Sequence, residues 1–192
     1  MSRLALIIPV LAISAGFSGA AVAADTYSVD GGHSAAIFKV KHAGVAYTYG
    51  RFNKVTGTVV WDNADPAASK IEIAIDPESV DTENEKRDQH LRNPDFFDAK
   101  QYPAFGFKSA TVKKIDDTTY EVSGNLTIHG VTKPLTVKAL KTGEGKDPWG
   151  GYRIGFETSF TIKRSDFGMT KVTESVGDDV AITFSIESVK AK

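Results

Sequence analysis

The 192 residues contain no cysteine. Disulfide staples, thiolate metal sites and lipid attachment through a cysteine are therefore excluded. Neither charge sign dominates: 23 lysines and arginines stand against 24 aspartates and glutamates, a formal net charge of −1. A nucleic-acid binder carries a basic footprint, and this chain has none. The same near-neutral balance argues against electrostatic docking to anionic lipid headgroups. Catalytic signatures are missing too. The four histidines, His33, His42, His90 and His129, fall in no His-x-His or His-Glu-x-x-His pattern, and there is no Gly-x-Ser-x-Gly elbow, P-loop or dinucleotide fingerprint. No metal site and no cofactor are expected.

Long apolar runs are confined to the first residues. Arg3 precedes an apolar stretch from Leu4 to Ala15, broken only by Pro9 and Ser14, and small residues lead to Ala21-Val22-Ala23. The stretch is short of the roughly 20 apolar residues that span a bilayer. It reads as a signal peptide, residues 1–23, cleaved after Ala23. The remainder, residues 24–192, has the length of one domain and carries no integral membrane segment.

What dominates that remainder is a period of two, the mark of strands with one buried face. Tyr152, Ile154, Phe156, Thr158, Phe160 and Ile162 fall on one side of the stretch Tyr152–Lys163, with Arg153, Glu157, Ser159 and Thr161 on the other. Val180, Ile182, Phe184 and Ile186 repeat the pattern near the end, as do Ile71, Ile73 and Ile75, and Tyr120, Val122, Leu126 and Ile128. Further strands are expected at Thr26–Asp30, Ala35–His42, Thr48–Asp62, Ala104–Lys114 and Val131–Thr142. Gly50 and Gly57 are expected to bend the long Thr48–Asp62 segment. Turns are expected at His129-Gly130, with His129 solvated, and at Gly143-Glu144-Gly145.

One stretch is helical. Thr82-Glu83-Asn84-Glu85 reads as a capping box opening a helix over about 83–93, which Pro94 ends. Asp88 and Arg92 are spaced for an ion pair, and Leu91, Phe96 and Phe97 can anchor the helix. Eight or nine one-faced strands bury their apolar sides as a sandwich or as a closed barrel, whose interior is either filled or holds a ligand. The spacing leaves that choice open.

Specific strings decide more. Lys41-His42-Ala43-Gly44-Val45 leads to Gly50-Arg51-Phe52; Arg87-Asp88-Gln89-His90-Leu91-Arg92 precedes Asp95-Phe96-Phe97-Asp98. Gly124-Asn125-Leu126-Thr127-Ile128-His129-Gly130-Val131-Thr132-Lys133-Pro134 follows, then Asp147-Pro148-Trp149-Gly150-Gly151 and Arg164-Ser165-Asp166-Phe167-Gly168-Met169. In this order the strings resemble the YceI family of lipocalin-like periplasmic proteins described as polyisoprenoid-binding. Ala43 departs from it, since the family pattern places Leu after this histidine.

The resemblance implies an all-β fold, an antiparallel barrel of about eight strands around an apolar tunnel with one short helix at its side. It implies a periplasmic carrier for a polyisoprenoid, quinone-like or fatty acyl lipid, and leaves a homodimer open. Face assignment nominates Phe38, Val40, Phe52, Phe105, Phe107, Phe156, Phe160, Ile182 and Phe184 as the apolar wall, and Arg51, Arg87 and His90 as the headgroup end. Two alternatives stand beside the carrier. One is an enzyme acting on such a lipid with His42 or His90 as base; the other is a stress-related protein with a filled barrel.

Overall fold

The computed structural model describes residues 24–191; the expected signal peptide lies outside the described residues. Among these residues eleven strands form one antiparallel sheet: β1 (Asp25–Val29), β2 (Ala35–His42), β3 (Ala46–Phe52), β4 (Val55–Trp61), β5 (Lys70–Ile75), β6 (Val80–Asp81), β7 (Phe105–Lys114), β8 (Thr119–Ile128), β9 (Val131–Lys146), β10 (Tyr152–Lys163) and β11 (Val176–Lys190). One helix, α1 (Glu85–Arg92), is the only α-helix among the described residues.

Eight strands close into a barrel in the order β1-β4-β5-β7-β8-β9-β10-β11, with β1 returning to β11. At one end β2 replaces β1 as the partner of β11, β3 runs beside β2, and β6 adds to β3. The pairs β1/β2 and β3/β4 are thus two long strands, each broken once. Ser34 stitches the first break: its Oγ donates to the Glu187 carbonyl at 3.2 Å and accepts from the Glu187 amide at 3.1 Å. Buried backbone groups need such partners wherever a ladder is interrupted.

The expected single strand Thr48–Asp62 is two strands, parted at Asn53-Lys54. Ser79 takes up the amides freed there, its carbonyl accepting from Asn53 and its hydroxyl from Lys54, both at 3.0 Å. Gly50 and Gly57 are not the bend, because pairing runs in continuous register through both. β9 continues past the expected end at Thr142, so Gly143-Glu144-Gly145 lies within a strand. The turn falls instead at Asp147–Gly151, where Asp147 Oδ1 accepts from the amides of Trp149 and Gly151 at 3.0 and 2.7 Å.

The helix starts two residues later than its capping box implies. Asn84 is the cap, its side chain accepting from the Arg87 amide at 3.0 Å. Thr82 is buried and gives its amide and hydroxyl to Asp88. The expected Asp88–Arg92 pair does not form, because Arg92 reaches the carbonyls of Glu78 and Val80 at 2.9 and 3.1 Å. Those bonds tie the helix to the strand edge.

Packing differs along the barrel. One end is filled by Tyr27, Val59, Trp61, Val112, Tyr120, Val122, Ile154 and Phe156. The Trp61 ring meets Tyr120 and Phe156 with centroids 4.8 Å apart in both pairs, in edge-on and tilted geometry, the arrangements aromatic quadrupoles prefer. Trp61 Nε1 donates to Asn63 at 2.8 Å. Burial, reinforced by Asp25 and Glu144, pushes the Tyr27 hydroxyl up to about 12. The other end is open.

Candidate functional site

Above the filled end the interior is a continuous apolar bore of about 190 Å³, within about 1490 Å³ of atom-free space that includes its open mouth. A dry apolar cavity of about 150 Å³ already accepts benzene, so this space is large enough for an apolar ligand. All nine residues assigned to the wall line it: Phe38, Val40, Phe52, Phe105, Phe107, Phe156, Phe160, Ile182 and Phe184. Phe156 sits at the floor against Trp61. The alternation of β2, β3, β7, β10 and β11 is what places the others.

Several rings lie against the wall instead of crossing the space. Gly50 stands opposite Phe38 on the inner face, and a Cβ there would come within 2.3 Å of Phe38 Cζ. At Gly124 an added Cβ would meet the Lys108 carbonyl at 2.3 Å and Phe107 Cζ at 2.8 Å, so glycine there admits both a close backbone approach and the ring. Missing side chains on the wall are thus filled by neighbouring rings, and the centre stays clear.

The helix end of the bore is an aromatic cage. Phe97 lies 5.5 Å from Phe52 and from Phe105, and 6.4 Å from Phe38. Leu91, Phe96 and Met169 complete that part of the lining. On the adjoining strands β10 and β11, Phe160 and Phe184 stack at 6.1 Å, both only half-buried. Sequence reasoning noted Leu91, Phe96 and Phe97 as anchors of the helix but did not place them in the bore.

Arg164 is the charged side chain that sequence reasoning missed. It is 3% exposed and lines the bore. Its guanidinium donates to four carbonyls, Met169 and Lys171 at 2.7 Å and Gly177 and Val176 at 3.0 Å. Burial pulls its pKa down from the ordinary value, with Asp178 opposing. The charge therefore clamps residues 169–177 beside the mouth. Its signal was available: 164 continues the inward parity of Ile154, Phe156, Phe160 and Ile162 by one step.

Among the three expected headgroup residues, none lines the bore. Arg51 is exposed on the outer face of β3, opposite Asp81. Arg87 folds back on Thr82, donating to its hydroxyl at 2.7 Å and to its carbonyl at 2.6 Å. His90 is exposed, 3.2 Å from Asp95 and edge-on to Phe96. His42 is exposed at the end of β2. Arg51 follows from parity, since its neighbour Phe52 points inward.

His129 also differs from its expected solvated setting. It occupies the β8–β9 turn at φ 51°, its Nδ1 lies 3.1 Å from the Phe167 carbonyl, and its Nε2 is buried without a partner among the described residues. Tyr102 covers the ring at 4.6 Å. It braces the turn against the 164–167 segment.

A closed antiparallel barrel around an apolar bore, with a single helix at its side, places the chain in the lipocalin-like class of barrels. More narrowly, the chain belongs to the family of YceI-like domains, which matches residues 27–188. It is 44% identical over 177 residues to the UPF0312 protein of Yersinia pestis (strain Pestoides F), covering 91% of each chain. To the UPF0312 protein of Pseudomonas aeruginosa (strain LESB58) it is 42% identical over 175 residues, 90% of this chain and 91% of the other. Burkholderia cenocepacia BcnA shares the structure with a TM-score of 0.74 and 30% identity, over 83% of this chain and 98% of that one. A polyisoprenoid binding domain from Saccharophagus degradans, 17% identical, superposes with a TM-score of 0.67 over 86% and 98% of the two chains, a likeness of fold.

Proposed function

We propose that the barrel binds a single long apolar lipid along its bore, and acts as a carrier rather than an enzyme. A polyisoprenoid is the first candidate, and quinone-like or fatty acyl chains fit the same walls. The observation that carries this reading is the bore itself. Its lining is hydrocarbon and aromatic ring, and the inward polar side chains on it, Thr158 and Arg164, are both already engaged. Thr158 donates to the Lys138 carbonyl at 2.8 Å, and Arg164 is held by its four carbonyls.

Such a wall gains affinity from chain length. Each CH₂ removed from water contributes about 0.8 kcal/mol, so a long tail binds with few polar contacts. The Saccharophagus degradans domain of the same fold is described as polyisoprenoid-binding, which supports the choice of first candidate. His42 and His90, the residues an enzymatic reading would use as base, stand outside the bore. The leader supports an exported, periplasmic protein; mass measurement of the chain recovered from cell fractions should find it beginning at Ala24.

The test is displacement. Protein loaded with an apolar fluorescent probe should release it to isoprenoid alcohols of increasing length, with affinity rising along the series. Failure to take up the probe, or release that ignores chain length, would refute the carrier.

A further inference from the structure

The face of the β2–β3 hairpin that turns away from the bore has an unusual make-up. In register, Ile37 stands opposite Arg51, Lys39 opposite Tyr49 and Lys41 opposite Tyr47. With side chains alternating along each strand, these six share the outer face, while Ala36, Phe38, Val40, Gly50 and Phe52 face inward. Tyr47 is 56% exposed and Tyr49 60%, and Val45 at the hairpin tip is 85% exposed. Lys39 Nζ lies 5.1 Å over the Tyr47 ring. Scattered apolar residues on a surface are ordinary; a contiguous patch of them is not.

The charge is equally uneven. No aspartate or glutamate occurs between Gly31 and Trp61, although the whole chain carries a net −1. Carboxylates on neighbouring strands are engaged elsewhere: Asp179 of β11 accepts from Lys163 at 3.0 Å. Asp81 of β6 accepts from Asn53 at 3.2 Å and offsets Arg51. The adjoining loop carries one side chain of each sign, Lys171 and Glu174. The uncompensated charge on the hairpin face is that of Lys39 and Lys41, which have no salt-bridge partner among the described residues.

We infer that this face docks the barrel onto an anionic phospholipid bilayer, with Val45 and the two tyrosines at the interface and the lysines on the phosphates. Tyrosine rings settle at the headgroup level, and basic side chains are drawn to an anionic leaflet. The location fits the task. The hairpin's inner face is the bore wall, and its tip is tied to the loop beside the mouth by the Ala43 amide, which donates to the Ser175 carbonyl at 2.7 Å. That loop adds Val172, 41% exposed. A lipid leaving the membrane would therefore meet the open end of the bore. The whole-chain balance that argued against such docking conceals a separation of charge across the surface.

This inference rests on the lipid-binding reading, and one experiment reads the two apart. Protein purified from cells expressing the whole chain is sedimented with vesicles of phosphatidylcholine alone and of phosphatidylcholine with phosphatidylglycerol at three to one, at low salt. Binding is expected only to the anionic vesicles and should fade as salt is raised. Lys39→Gln with Lys41→Gln should weaken it on the order of tenfold or more, and Val45→Asp should weaken it further. Lys113→Gln with Lys138→Gln, on exposed outer positions of β7 and β9, should change nothing. Uptake of the apolar probe from solution should be the same in every variant, which also certifies folding. Equal sedimentation of wild type and the hairpin variants, or no sedimentation with anionic vesicles, would overturn the docking face while leaving the bore intact. If the hairpin substitutions instead abolish a concentration-dependent dimer and vesicle binding is absent, the face belongs to a second copy of the chain and the inference fails.

Discussion

Around Trp61 the barrel interior is solid, whereas beside the Phe160–Phe184 stack the same classes of side chain line a bore. Both ends alternate apolar and polar residues, and both are rich in aromatic rings. The difference lies in where the rings go. At the filled end Trp61 crosses the interior to reach Tyr120 and Phe156. At the open end Phe38 and Phe107 lie over glycines on the wall, and α1 with its following segment supplies a cage at the rim. The filled end supplies rigidity, since protein interiors tolerate few voids without loss of stability. The open end gives up part of that packing to keep a site.

The sharpest way to break this contrast is at Trp61. Trp61→Ala should destabilise the fold by about 3–5 kcal/mol, the usual effect of emptying a buried aromatic position, measured by denaturant unfolding. Probe affinity in the remaining folded protein should change far less. A loss of affinity matching the loss of stability would mean that the two ends are not separable.

Arg164 belongs to the open end but acts on stability. Arg164→Met leaves carbonyls at 169, 171, 176 and 177 without their buried donor, at an expected cost of about 2–4 kcal/mol. Hydrogen exchange should quicken first in residues 169–177 beside the mouth. Uniform quickening across the barrel would contradict its role as a local clamp.

At the open end the effect should fall on binding. Phe184→Glu places a carboxylate on a half-buried wall, where it can still reach water, so unfolding should shift only slightly. Probe uptake should fall at least tenfold, because a bound tail would have to desolvate the charge. Gly50→Ala should act more mildly on binding by pushing the Phe38 ring into the bore, with a measurable loss of stability because the methyl also meets the buried Thr82.

The smallest effect concerns the outer surface of the filled end. Arg153 donates to Asp147 and Asp30, both at 2.8 Å, and pairs with Glu187. Its guanidinium, helped by His33, holds the Asp30 carboxyl down to about 2. A carboxylate depressed in the folded state contributes stability above its unfolded pKa near 4, and that contribution is lost as pH falls toward 2. Arg153→Gln should therefore move the acid-unfolding midpoint to higher pH, as followed by circular dichroism, while leaving probe binding at neutral pH unchanged.

The sequence makes the strands and the wall legible, because alternation along Tyr152–Lys163 and Ala35–His42 leaves little choice of face. The break at Asn53-Lys54 was also readable in principle: Phe52 points inward on even parity, while Val55, Val59 and Trp61 do so on odd parity. A phase change of this kind marks a discontinuity where strand propensity alone shows a single long strand. Arg51, Arg87 and His90 were misplaced for a related reason. Polar character near an apolar stretch says nothing about side unless the parity of the neighbouring residue is followed. Whether the interior is full or hollow could not be read at all, since Trp61 and Phe184 obey the same pattern and differ only in what stands opposite them.

The most direct test of a hollow, occupied bore is native mass spectrometry of the protein purified from its own cells, repeated after organic extraction. A single long-chain apolar species should travel with the folded barrel at near-equal molar ratio and be recovered in the extract. A barrel of bare polypeptide mass that also refuses added isoprenoid would contradict the account.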